Sequence, residues 1–284
     1  MASVSDPRAA KQAGPAARSV RQVTSLQNPA VKLVRSLELR KMRRETGLFV
    51  AEGAKVVATA RDRGWTPRLL LVDEGSGASG IVAELIDWAA AAHAECLEVP
   101  AHILSKLSAR DNPQTVIGVF PQRWAGEAAV QAGPADAWVA LEEVRDPGNL
   151  GTIVRTVDAA GARGVILVGT CCDPYSREAV RATMGSIFNV PLLRMEHAAF
   201  LRWLTAWPGQ TVGTHLSAQT DFRDDYAGPV LLVMGSEGPG LSAELTRACT
   251  RLVKIPMAGH ADSLNLAIAT ALMLYEIRRP FLSL

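Results

Sequence analysis

Pro229-Val-Leu-Leu-Val-Met-Gly-Ser-Glu-Gly-Pro-Gly-Leu-Ser242 and Leu252-Val-Lys-Ile-Pro-Met-Ala-Gly-His-Ala-Asp-Ser-Leu-Asn-Leu266 decide the architecture. Val230–Met234 is an unbroken apolar run. It is too short for a helix and is bounded by Pro229 and Gly235, which predicts a buried strand. Leu252–Ile255, ended by Pro256, predicts a second. Gly235, Gly238 and Gly240 follow the first strand, and Gly259 and Asp262 follow the second. Glycine admits positive φ and close backbone approach. A helix is expected from about Leu264 to Arg279. Two strands thus deliver two glycine-bearing loops, and in open α/β sheets ligands bind at the carboxyl ends of strands.

The loops carry no phosphate fingerprint. Gly235-Ser-Glu-Gly-Pro-Gly240 spaces its glycines differently from the dinucleotide motif and sets a carboxylate among them. No Gly-Lys-Ser/Thr phosphate loop occurs anywhere. This argues against an NAD- or ATP-dependent enzyme. Main-chain-lined loops of this kind suit a nucleoside-like ligand, or are simply tight turns.

Gly235–Leu241 and Ile255–Ala269 resemble the second and third motifs of the SpoU-type RNA ribose methyltransferases, a branch of the SPOUT superfamily. Asp146-Pro-Gly-Asn-Leu-Gly-Thr-Ile-Val-Arg-Thr-Val-Asp-Ala-Ala-Gly161 resembles the first. The three lie in the family's order across about Ala137–Arg279. The resemblance implies a parallel sheet with helices on both faces, a C-terminal trefoil knot and an obligate homodimer. It also implies S-adenosylmethionine (SAM) as methyl donor, S-adenosylhomocysteine as product, and an RNA ribose 2′-hydroxyl as acceptor, with no metal.

Length and composition set the bounds. A chain of 284 residues holds one large or two ordinary domains. A net charge of +2 excludes a global basic field, so any nucleic-acid surface is local. Four cysteines without a Cys-x-x-Cys pair argue against zinc and a disulfide framework, and suit a reducing cytoplasm. No apolar run approaches the ~20 residues of a membrane helix.

Residues 1–20, rich in Ala, Ser and Pro, read as a disordered tail. A small α/β domain is expected over 21–122. It opens with a helix capped by Asn28 at Pro29 and running to about Glu45. Arg35, Arg40, Lys41, Arg43 and Arg44 give that helix a basic face, either an ordinary solvated surface or a phosphate-contacting patch. Glu52-Gly53 and the segment Ser108–Val119 resemble the L30e-like RNA-binding domain that many SpoU-type enzymes carry. Arg110, Asn112 and Gln114 are its candidate RNA contacts, or belong to a turn fixed by Pro113. Residues 123–135 read as a linker that permits the halves to move. Residues 136–284 form the methyltransferase domain.

By resemblance, Asn149, Arg155, Glu237, Ser263 and Asn265 carry the catalytic site. Arg155 is the family's proposed base, although arginine stays charged. It would otherwise stabilise a developing alkoxide, hold a phosphate, or pair with Asp158 three residues further along its helix. Asn149 positions the ribose or caps its helix. Glu237 fixes a loop or orients Asn149. Ser263 caps the last helix or acts in catalysis. SAM is expected on Thr214, Met234, Gly235, Ser236, Gly238, Ile255, Pro256, Met257, Ser263 and Leu264. Tyr175, Arg177 and Arg181 match family positions and are candidate RNA contacts. The last helix is apolar on most faces, which predicts a dimer interface. The substrate is expected to be structured RNA, ribosomal (23S) rather than transfer RNA. A SAM-binding RNA-assembly protein without turnover is the alternative.

Overall fold

The computed structural model describes residues 20–78, 80–108 and 114–283. Arg110, Asn112 and the expected tail before Val20 lie outside these residues. The N-terminal half runs β1 (Val20–Gln22), α1 (Pro29–Ser36), α2 (Arg40–Thr46), β2 (Leu48–Glu52), α3 (Ala54–Asp62), β3 (Leu69–Asp73), α4 (Gly80–Ala91), β4 (Glu95–Val99), α5 (Ala101–Leu107) and β5 (Val116–Pro121). Its five strands are ordered β1-β4-β3-β5-β2, with β5 antiparallel to both neighbours. Asn28 caps α1 through its side chain, with Pro29 at the first helical position. The single helix expected to Glu45 is two. The chain breaks over Leu37–Leu39 and resumes as α2, which ends on the left-handed Gly47. Arg43 stabilises the break by donating to the carbonyls of Leu37 and Glu38, both at 2.8 Å.

The C-terminal half runs β6 (Ala137–Glu142), α6 (Pro147–Ala159), β7 (Gly164–Val168), α7 (Arg177–Ala182), β8 (Leu192–Met195), α8 (His197–Leu204), β9 (Gln210–Thr214), β10 (Thr220–Asp221), β11 (Val230–Met234), α9 (Ala243–Ala248), β12 (Arg251–Lys254) and α10 (Leu266–Arg278). Seven parallel strands are ordered β10-β12-β9-β11-β6-β7-β8. β6, β7 and β11 are buried on both faces, as near-continuous hydrophobicity demands, whereas β12, the second strand expected to be buried, lies next to the edge strand β10 and buries only Val253. Because all seven are parallel, their carboxyl ends share one edge. There β6 is flanked by β7, which follows it, and by β11 from far along the chain. Such a reversal of strand order opens a crevice.

The two halves share a core. Phe49 packs against Tyr175 at a centroid separation of 4.7 Å, and Trp65, Phe120 and Phe188 complete the aromatic cluster. The Trp65 indole donates across the junction to the Phe188 carbonyl at 2.9 Å. Arg43, almost fully buried, pairs with Asp173 at 2.7 Å. Residues 123–135 do not loosen this junction. Trp124 stacks edge-on to Tyr175, Ala125 N–H bonds the Leu192 carbonyl, and the Trp138 indole bonds the Gln131 carbonyl. The expected movement of one half against the other is therefore opposed by close packing.

Three residues expected to meet RNA instead hold this junction. Arg43 is spent on Asp173 and two carbonyls. Tyr175 is buried, its hydroxyl donating to the Arg123 carbonyl and accepting from the Arg123 N–H. Arg177 pairs with Glu52 at 3.3 Å and donates to the carbonyls of Leu107 and Val34. A charged or polar side chain this buried is stabilised only by such partners. Phe49→Ala should therefore destabilise both halves together. The cavity costs about 3–5 kcal/mol, and urea unfolding followed by tryptophan fluorescence and far-UV circular dichroism should shift as one transition.

Candidate active site

The β6–α6 turn is fixed first. Asp146 accepts from the Asn149 N–H at 2.6 Å and is the cap of α6, with Pro147 at its first position. Asn149 is thus a first-turn residue and not the cap. Its side chain is free to face the loop after β11, where its Nδ2 donates to Glu237 Oε1 at 3.0 Å. Glu237 Oε2 accepts from the Arg145 N–H at 3.4 Å. From the other side, Asn265 Nδ2 donates to Asn149 Oδ1 at 2.9 Å. Asn265 also caps α10, its Oδ1 accepting from the N–H groups of Ala267 and Ile268. The cap commits the Asn265 oxygen, so its nitrogen must point at Asn149. That commits the Asn149 oxygen, so its nitrogen must point at Glu237. One residue from each motif meets here, with every amide orientation set by its neighbour. Partial burial pushes the Glu237 carboxyl up, but the Asn149 amide and backbone N–H groups outweigh it and hold the carboxyl below its ordinary value.

The expected cofactor residues lie on neighbouring strand ends. Thr214 ends β9, Met234 ends β11, and Ile255, Pro256 and Met257 follow β12. Thr214 Oγ1 lies 3.6 Å from Met234 Sδ. Ser236 and Gly240 bridge the base of the loop after β11. Gly235 is required by that closure: a Cβ there would sit 2.0 Å from the Gly240 carbonyl carbon and 2.2 Å from the Leu241 nitrogen. Gly238 takes a φ of +97° at the tip. Leu264 is half-buried and Ser263 exposed. Asn265, not Ser263, caps α10, which begins at Leu266. Chain segments that meet at one sheet edge in this way present main-chain donors and acceptors to a nucleoside-sized ligand. Among the described residues, no group of three or more His, Cys, Asp or Glu side chains is placed to hold a metal ion.

Arg155 stands apart. It lies six residues beyond Asn149 on α6, which carries it roughly 9 Å along the axis and about 120° around it. It is exposed, and the i,i+3 pair with Asp158 does not form. Asp158 instead accepts from Asn189 Nδ2 at 2.9 Å. Arg35, Arg40, Lys41, Arg44 and Arg181 are exposed. Arg40 reaches the Cys171 carbonyl at 3.3 Å, which places α2 beside the loop after β7. Gln114 lies against Gly53. Sequence reasoning missed Asp146 as the cap and Arg145 as a main-chain donor. Asp-Pro, a capping residue before a first-position proline, was the available signal.

Residues 136–275 match the SpoU rRNA Methylase family, and residues 28–118 match the MRM3-like substrate binding domain. An AdoMet-bound rRNA methyltransferase from Sinorhizobium meliloti superposes with a TM-score of 0.87 at 47% identity, over 93% of this chain and 99% of that one. The 23S rRNA (uridine(2479)-2′-O)-methyltransferase of Streptomyces viridochromogenes is 30% identical, over 96% of this chain and 97% of its own. A 23S rRNA (guanosine(2553)-2′-O)-methyltransferase of Bacillus subtilis is 27% identical, over 91% of this chain and all of its own. A two-domain α/β architecture with a parallel sheet, motif residues converging at its carboxyl edge and relatives of full length together define a SAM-dependent RNA 2′-O-methyltransferase. The chain belongs to the SpoU family, with an MRM3-like substrate-binding domain ahead of the catalytic half.

The lowered Glu237 carboxyl sets a pH dependence. Its contribution to stability is complete above its ordinary 4.5 and is lost as pH falls through the lower folded value. The difference in urea midpoint between wild type and Glu237→Gln should be constant from about pH 8 to 5 and shrink toward pH 3.

Proposed function

We propose that the chain methylates a ribose 2′-hydroxyl of 23S ribosomal RNA in the cytoplasm, as a homodimer whose two sites each draw on both subunits. The Asn265–Asn149–Glu237 relay carries this reading. SAM, when bound on the loops after β9, β11 and β12, supplies an activated methyl group. Asn149 and Asn265 each keep one amide hydrogen uncommitted by the relay, and these orient the acceptor ribose. Glu237 holds the Asn149 amide, and Asn149 in turn holds that of Asn265. Ser263, exposed beside Asn265, adds a hydroxyl to the ribose or donor. Alignment of hydroxyl, methyl and sulfur accounts for most of the acceleration, roughly 7–11 kcal/mol.

Arg155 acts in the partner's site on this reading. It projects away from its own Asn149, and α10, packed on α6, leaves Ile268, Leu272 and Tyr275 exposed. Spacings of four and three put these side chains on one helix face, which a second copy would cover. A charged Arg155 there stabilises the developing alkoxide and the flanking phosphate, while the hydroxyl proton passes to solvent water and the donor leaves as S-adenosylhomocysteine. The return of α10 from β12 onto α6 and β11 supports the threaded, knotted C-terminus that the family resemblance implies. Exposed Arg35, Arg40, Lys41, Arg44 and Arg181 supply phosphate contacts. The full-length 23S rRNA-modifying relatives support the ribosomal substrate. No helix among the described residues is long and apolar enough to cross a membrane.

Mass spectrometry of 2′-O-methylnucleosides in 23S RNA tests the proposal. One mark should vanish when the gene is deleted, return with wild type and stay absent with Arg155→Ala, whose kcat falls about 10²–10³-fold. An unchanged 23S profile overturns the ribosomal assignment. The shared site makes a sharper prediction. A 1:1 mixture of Arg155→Ala and Asn149→Ala subunits, each inactive alone, should recover roughly a quarter of wild-type activity, because about half of the dimers are heterodimers and one of the two sites in each is intact. No recovery places Arg155 in its own subunit's site.

A further inference from the structure

Glu142 is the last residue of β6, and its side chain is 6% exposed. A carboxylate so enclosed needs partners for both oxygens. Oε2 accepts from the Ser242 N–H at 2.8 Å. Oε1 lies 2.9 Å from His197 Nε2, which also stands 3.3 Å from Ser242 Oγ. Ser242 is the first residue beyond the Gly235–Leu241 loop, and its hydroxyl caps α9. His197 opens α8, directly after β8. One buried carboxylate thus joins the ends of β6 and β8 to the far end of the loop after β11. Burial, and then the Glu142 charge, push the neighbouring Cys249 thiol up to about 12.

The same two stretches are tied a second time, in the opposite sense. Glu237 reaches from the loop after β11 to the Arg145 N–H and the Asn149 amide. Glu142 reaches from the β6 end to that loop's exit. Residues 142–149 and 236–242 therefore hold each other by one carboxylate apiece, one exposed at the ligand side and one buried beneath it. Ser236 and Gly240 close the loop between these two ties. None of the three motifs contains Glu142 or His197.

We propose that Glu142 is a positioning residue for methyl transfer: with His197, it holds the Gly235–Leu241 loop in its SAM-binding shape without touching the donor or the RNA. This rests on the placement of SAM against that loop. Loss of the tie lets the loop exit swing, so the binding-competent shape is only part of the population and apparent affinity falls by that fraction.

SAM titration calorimetry, methyl-transfer kinetics and hydrogen exchange of residues 235–242 test it together. Glu142→Ala should raise the Kd and KM for SAM about tenfold while kcat at saturation stays within about threefold. Exchange of the loop amides without SAM should quicken. Glu142→Gln should restore most of the affinity, since its amide oxygen accepts from Ser242 and its nitrogen faces His197. Unchanged affinity and unchanged loop exchange in Glu142→Ala overturn the proposal, as does a loss confined to kcat. If Glu142→Ala does not fold, His197→Ala decides. A rise in Kd of about threefold with faster loop exchange supports the tie, and wild-type values for both overturn it. The placement of SAM has its own readout. If SAM fails to slow exchange of the loop in the wild-type protein, that placement is wrong, while faster exchange in Glu142→Ala without SAM still supports the tie.

Discussion

Tyr175 sits where the two halves meet, and the layout of the molecule depends on it. Its ring fills the space between Phe49 and Trp124, and its hydroxyl serves both polar groups of the Arg123 main chain. An aromatic ring buried with its polar tip satisfied contributes apolar area without an orphaned group. Around it, Arg43 and Arg177 reach across the junction to Asp173 and Glu52. These charges would be costly if left unpaired. The junction therefore holds in one arrangement. Gly151 makes the next layer possible, because a Cβ there would lie 2.3 Å from the Ala179 carbonyl oxygen and push α7 off α6.

From that junction the site follows by short steps. The loop after β7 is held by Arg43 at Asp173 and by the Cys172 N–H on the Val144 carbonyl. Val144 belongs to the turn that carries Asp146 and Asn149. The polar relay then crosses from α6 to the loop after β11 and to the start of α10. Catalysis of a transfer reaction with a pre-activated donor asks mainly for such fixed geometry. It asks little of perturbed side-chain acidity. Glu237 is held in its charged form, which suits an orienting acceptor better than a proton carrier.

Much of this was legible in the sequence. The apolar run Val230–Met234 announced a buried strand, and Asn28-Pro29 announced a helix start. The motif resemblance brought Asn149, Glu237 and Asn265 to one place, and there they hydrogen-bond in series. What could not be read were properties of packing. Arg43, in a run of basic residues, looks like its neighbours until a break at Leu37–Leu39 turns it inward. Arg177 and Tyr175 read as surface contacts because the facing domain is far away in sequence. The short edge strands β1, β8 and β10 depend on pairing with β4, β7 and β12 rather than on any strong local pattern. Residues 123–135 have the composition of a linker, yet Trp124 and Ala125 are packed against the catalytic half.

The packed junction also works as a measuring gauge. The exposed basic side chains of α2 stand beside the loop after β7, with Arg40 on the Cys171 carbonyl, and neither element can slide against the other. The distance from those cations to Asn149 is thus a property of the folded chain, much as a jig fixes the gap between clamp and tool. On the proposed reading, in which α2 grips the RNA, only the nucleotide lying that far along the RNA's own folded surface would reach the site. Selection of this kind reads the shape of the substrate and needs no hydrogen bond to a base.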